Sequence, residues 1–159
     1  LGKHAGVEFR GTYFWVYDIV GGIFLWHLIQ EAENFRIGKS VPWLENAIGG
    51  WRIAAVVTDQ AQYTDDNWTE EQLNLVIKLG QLAIDKVKNR DEFNAKEIEN
   101  WYICDDYKIF PRGYEKIPAK FIVSFAEAFI ALLEGELPDA PQGSRWYYGI
   151  GSEYSPGTI

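Results

Sequence analysis

The chain has 159 residues, 47% of them hydrophobic and 24% charged, with a net charge of -8. These values describe one globular domain with a core of ordinary size and argue against a disordered body. The acid excess repels phosphate, which disfavours nucleic acid and anionic membranes, and the lone Cys104 excludes both an intramolecular disulfide and a cysteine-type zinc site.

The first element is Thr12–Tyr17, six β-branched or aromatic residues that read as a short strand, with one longer helix from Thr12 as the alternative. His4, ahead of it, is expected in a mobile N-terminus. Asp18 is placed to cap a helix over Ile19–Asn34, whose apolar residues Ile19, Ile23, Trp26 and Ile29 follow the helical period. The run Ile19–Ile29 is too short for a membrane span and has neither the basic leader nor the cleavage site of a signal peptide. No membrane association and a cytoplasmic location are the expectations. Ser40 and Pro42 mark the next helix start, with Ser40 as cap, and Gly49-Gly50 is expected to break or bend it. Trp51–Tyr63 then reads as a helix, or as a buried strand, with the Ala54-Ala55 pair favouring helix.

Thr69–Lys88 carries the clearest signal. Thr69 and Gln72 form a capping box, and Leu73, Val76, Ile77, Gly80, Ile84 and Val87 make an apolar stripe. Gly80 in that stripe predicts a close crossing by another helix. Asn94–Glu97 is a second cap signature leading into Ile98, Trp101 and Tyr102. The last helix begins near Pro118; Phe121, Phe125, Phe129 and Leu133 repeat every four residues, and Gly135 ends it. Its apolar surface is so broad that it belongs at the centre. The fold expectation is mainly α: a single-domain bundle of about five helices around Pro118–Glu134, with room for one short N-terminal strand. Residues 1–137 form the helical domain, and 138–159 are an irregular, Pro- and Gly-rich aromatic tail packed on it or extending from it.

No catalytic or cofactor motif assembles. His27 and Glu31 share a helix face, but a metal needs three or four ligands and no second histidine-rich element exists. No metal and no cofactor are expected. Cys104, in the apolar run Trp101–Cys104, reads as an inert buried thiol. The pairs Asp65-Asp66 and Asp105-Asp106 fall at element ends, where acids serve turns and caps. Gly149–Ser152 follows no strand and opens no helix, so it is not a phosphate loop. Asn67-Trp68-Thr69 fits a glycosylation triplet by chance.

The aromatic residues carry more. The chain has 7 Trp, 9 Tyr and 9 Phe against only 2 His. Trp15, Trp26, Trp43 and Trp51 lie in apolar runs and are assigned to the core. Trp68, Trp101, Tyr102, Trp146, Tyr147 and Tyr148 lie at element edges or in the tail, beside acids or glycines, as interface anchors do. With Asp65, Asp66, Asp105 and Asp106 they form the expected partner-binding set. From Ile53 to Ile77, and again from Glu97 to Asp106, there are acids and no Lys or Arg. The leading functional expectation is a non-enzymatic acidic domain that binds a basic protein, of the immunity type that neutralises a cationic toxin. Two alternatives are a small-molecule binder or enzyme with an aromatic pocket near Asp18 and His27, and a subunit of a homo-oligomer.

Overall fold

Arg10 and Gly11 turn the chain back on itself near its start. Both have positive φ, 49° and 89°, the pattern of a tight two-residue hairpin turn whose twist matches its strands. A computed structural model describes residues 4–57, 62–104, 107–109, 113–137 and 147–148. In it, β1 (His4–Phe9) pairs antiparallel with β2 (Thr12–Tyr17), Phe9 opposite Thr12 and His4 opposite Tyr17. Residues 12–17 are therefore strand, and the N-terminal stretch expected to be mobile is its partner. Ala5, Val7 and Phe9 of β1 and Phe14 and Val16 of β2 face the core. Gly6, Glu8, Tyr13 and Trp15 alternate to the other face.

The chain then enters α1 (Asp18–Arg36). Asp18 does not cap this helix. Tyr17 holds the cap position without a side-chain capping bond, and Asp18 is the first helical residue, where a carboxylate still complements the helix dipole. Ten residues of α1 are buried on nearly every side, so α1 shares the centre of the fold with the last helix. A β-carbon on Gly21 would overlap the Tyr63 hydroxyl, so this glycine admits Tyr63 to the core. In α2 (Pro42–Val56), Pro42 holds the first turn but Val41, not Ser40, precedes it as cap. Gly49 and Gly50 do not interrupt the helix, which buries Leu44, Ile48, Gly50, Trp51 and Ala54. Tertiary burial outweighs the roughly 1 kcal/mol that each glycine costs a helix.

In α3 (Glu70–Val87) the expected capping box is present: Gln72 N–H donates to Thr69 Oγ1 at 3.2 Å, and Thr69 N–H donates to Gln72 Oε1 at 3.0 Å. The buried stripe includes Leu79 and Ala83, while Ile77 and Ile84 lie at its margin. Gly80 meets the last helix, where its β-carbon would lie 3.4 Å from Ile130 Cγ1. Next come β3 (Glu92–Asn94), a single turn α4 (Ala95–Ile98), β4 (Tyr102–Cys104), β5 (Tyr107–Lys108) and β6 (Lys116–Pro118). Asn94 accepts from Glu97 N–H at 2.9 Å as the cap signature predicts. The helix stops at Ile98, however, and Tyr102 is strand. β3 pairs with β6 and β4 with β5, both antiparallel.

The last helix, α5 (Ala119–Glu134), starts after Pro118 and ends at Gly135 with φ of 73°. Glu136 N–H reaches the Ala131 carbonyl at 2.8 Å and Gly135 N–H the Leu132 carbonyl at 3.2 Å, which satisfies the exposed end of the helix. Finally β7 (Tyr147–Tyr148) runs parallel to β2, Trp15 opposite Tyr147. The rest of the expected tail lies outside the described residues. The architecture is thus a mixed α and β fold of five helices and small sheets among the described residues, not a purely helical bundle. None of these helices is long and apolar enough to cross a membrane.

Phe125 and Phe129 are fully buried. Phe125 has Phe24 at 5.3 Å, Phe14 at 5.7 Å, Tyr63 at 5.9 Å and Phe129 at 6.4 Å between ring centroids. Truncating Phe125→Ala is expected to cost about 3–5 kcal/mol. Urea denaturation measures this, and an unchanged midpoint would remove α5 from the centre of the core.

Candidate functional site

The outward face of the hairpin forms one wall of a cleft of about 670 Å3. Gly6, Glu8, Tyr13 and Trp15 supply this wall because strand alternation turns them away from the core. The facing wall is α2, where Trp43, Asn46, Ala47 and Gly50 fall at helical spacing on one stripe. The 62–68 segment closes the floor with Asp65, Asp66 and Trp68 among its residues.

Polar bonds tie the floor to the hairpin. The Arg10 backbone N–H donates to Asp66 Oδ1 at 2.9 Å, and the Arg10 guanidinium donates to the Asp66 carbonyl at 3.1 Å and the Trp68 carbonyl at 2.8 Å. Thr64 donates its hydroxyl to the Glu8 carbonyl. Asp65 Oδ1 accepts from Asn67 N–H at 2.9 Å, a local turn bond. On the helix side, Trp51 Nε1 donates to the Tyr63 carbonyl at 2.9 Å. Behind the cleft stands a row of indoles in edge contact, Trp43 to Trp68 at 6.4 Å and Trp68 to Trp51 at 6.5 Å.

Three carboxylates, Glu8, Asp65 and Asp66, line the cleft, and no lysine or arginine lines it among the described residues. Tyr13 is 59% exposed, and Trp15 and Trp43 are half-buried. Ring faces and carboxylates both attract cations, and concave low-dielectric walls concentrate the field.

Of the sequence-predicted set, the cleft brings together Asp65, Asp66 and Trp68. Trp68 is only 5% exposed and acts as its back wall. Trp101 and Tyr102 do not line it. Trp101 is 9% exposed and stacks on Trp26 at 5.0 Å and 4°; Tyr102 is exposed on β4. Asp105, Asp106 and Trp146 lie outside the described residues, as do the side chains of Cys104, Tyr147 and Tyr148. Glu8, Tyr13, Trp15 and Trp43 are among the lining residues outside that set. The turn pair Arg10-Gly11 is the signal that would have exposed the first three, because it fixes which hairpin residues face out.

Asp18 and His27 line no part of this cleft. The half-buried Asp18 acts with burial on Tyr63, and the two push the Tyr63 hydroxyl far above its ordinary value, burial contributing more. His27 Nδ1 donates to the Ile23 carbonyl at 2.9 Å, and its ring packs edge-on against Phe93 and Trp101. Burial is the main cause that pulls its pKa below 6.5. Nearby, Arg90 holds Glu97 in a bidentate pair and lies 3.9 Å above the Phe93 ring centroid. Among the described residues no cluster of metal-ligating side chains forms. Comparison with protein-family models, curated proteins and solved structures gives no match to this chain.

The His27 and Glu97 shifts act on stability in separate pH windows. His27 is neutral in both folded and unfolded chains well above 6.5, and there its contribution is present in full. As pH falls below 6.5 the unfolded chain takes up the proton first, so stability drops until the lower folded value is passed. Glu97, lowered by its bond to Arg90, contributes above 4.5 and loses that contribution as pH falls through its folded value. The urea midpoint should therefore fall between about pH 7 and pH 5.5 in the wild type and fall less in His27→Gln. A midpoint that falls as far in His27→Gln as in the wild type would show that burial does not dominate at His27.

Proposed function

We propose that this chain is a non-enzymatic acidic binding domain that captures a basic protein partner, an immunity-type inhibitor of a cationic toxin domain. The cleft carries this reading: partly exposed rings of Tyr13, Trp15 and Trp43 stand beside Glu8, Asp65 and Asp66 with no lysine or arginine in the lining among the described residues. Aromatic anchors in a concave, acid-rimmed site are what a tight interface with a basic protein requires. The net charge of -8 adds long-range attraction for such a partner and repulsion for nucleic acid. Exposed Tyr102 and Tyr107 extend the candidate contact surface beyond the cleft. Trp101 is buried against Trp26, His27 and Phe93. The tail residues Trp146, Tyr147 and Tyr148 and the acids Asp105 and Asp106 remain proposed contacts.

Attraction between unlike charges speeds association and is screened over about 8 Å at physiological ionic strength. Affinity for a cationic toxin domain should fall as salt rises. Glu8→Lys and Asp65→Lys should each slow association several-fold. A kinetic binding assay at two salt concentrations measures both. Affinity indifferent to salt and to both reversals would overturn the reading.

A further inference from the structure

We propose that the cleft is the receptor for one arginine side chain of that partner, its guanidinium seated among Tyr13, Trp15 and Trp43 with Glu8 and Asp65 as acceptors. The inference rests on the binding reading above and names its recognition chemistry. Gly6 is the key position. It stands directly across the hairpin from Trp15, as Glu8 stands across from Tyr13. The backbone at Gly6 does not have the positive φ that would demand glycine. A β-carbon there would lie 3.8 Å from the Trp15 ring, an ordinary contact, so a side chain fits the strand. What it would take up is the space beside the indole. The glycine keeps that ring accessible from the cleft.

The chemistry of the walls selects the occupant. An anion meets carboxylates and no lysine or arginine in the described lining. A neutral apolar side chain would strip water from Glu8 and Asp65 and give them no hydrogen bond in return. An organic cation satisfies both the rings and the acids. Between the two basic side chains, the planar guanidinium stacks on aromatic faces, is more weakly hydrated, and presents five donors to acceptors that approach from different sides. The ammonium of lysine is compact and strongly hydrated, which makes it the poorer fit for a site where three aromatic rings stand beside the acids.

The test uses the full chain and four probes: N-acetyl-L-arginine amide, its lysine counterpart, its uncharged citrulline isostere, and free L-arginine. NMR of the tryptophan indole N–H groups follows each titration. Arginine amide should shift the Trp15 and Trp43 signals saturably, with lysine weaker by about threefold or more and citrulline by about tenfold or more. Gly6→Leu should weaken arginine amide by about tenfold while keeping the wild-type unfolding midpoint. Glu8→Gln, on an exposed side chain, should weaken it by about threefold and decides the matter if Gly6→Leu fails to fold. The proposal is overturned if citrulline or lysine binds as well as arginine, or if the shifts fall on other tryptophans. It is also overturned if a folded Gly6→Leu binds like the wild type, or if Glu8→Gln does. Free L-arginine binding tenfold or more tightly than the amide would make the cleft a small-molecule site and also overturn it (about 1.4 kcal/mol). Salt-sensitive capture of a cationic toxin domain with no arginine-amide binding would defeat this inference alone. Loss of both would defeat the binding reading as well.

Discussion

Phe125 sits where four other rings meet, and each comes from a different part of the chain: Phe14 from the hairpin, Phe24 from α1, Tyr63 from the 62–68 segment and Phe129 from the next turn of α5. The rings of Phe14, Phe24 and Tyr63 meet Phe125 edge-on and that of Phe129 is tilted; edge-on pairs add about 0.5–1.5 kcal/mol each beyond the area they bury. The larger effect is geometric. Once Phe14 is committed to this cluster, strand alternation leaves Tyr13 and Trp15 no choice but the opposite face. A one-residue slip in β2 would place those two in the core and Phe14 in the cleft. The cleft wall is therefore fixed from behind, by the packing of residues that never touch it.

The floor is set by the same cluster. Tyr63 enters the core through the space that Gly21 leaves, and its carbonyl accepts from Trp51 of α2. The chain leaving Tyr63 then runs directly beneath both walls. Arg10 and Thr64 fasten it to the hairpin, each bond worth about 0.5–1.5 kcal/mol net and more where a charge takes part. Asp65 and Asp66 hold the local turn and the hairpin link with one oxygen each. Both stay exposed at the cleft. Structural and electrostatic roles thus coexist in the same side chains, and in the proposed binding the weight falls on Glu8, whose side chain is exposed opposite Tyr13.

What could be read from the sequence was what depends on near neighbours in the chain. Thr69 with Gln72, Asn94 with Glu97 and Gly135 each satisfy helix ends within four residues, so those features appear where the pattern puts them. The same holds for the four-residue spacing of Phe125 and Phe129. Strands of two or three residues such as β3, β4 and β6 carry no period and left no signal. Asp18 failed as a cap because an apolar, extended Tyr17 took that position, and α2 ran through its glycines because burial on α1 outweighs their helix cost. The tryptophans divided against expectation for a similar reason. Trp68 and Trp101 have polar neighbours in sequence yet are enclosed by Trp43, Trp51, Trp26 and Phe93 in space. Trp15 sits in an apolar run but lies across from a glycine. Exposure was decided by partners distant in the chain, which a single sequence does not display.

This division has a consequence for how the surface can change. Half-buried Gly6 and exposed Glu8 and Tyr13 line the cleft on the outward side of the hairpin, and substitutions at exposed positions usually move stability by no more than about 0.5 kcal/mol. Trp51 and Trp68 line it too, but they also fill the interior, and truncating a buried tryptophan costs about 3–5 kcal/mol. On the proposed function, recognition can vary through the hairpin wall while the indole row behind is held by the fold. A partner whose basic group differed in size or shape would be met by a change at Gly6, Glu8 or Tyr13. The Phe125 cluster would keep the wall in place regardless of which side chains it displays.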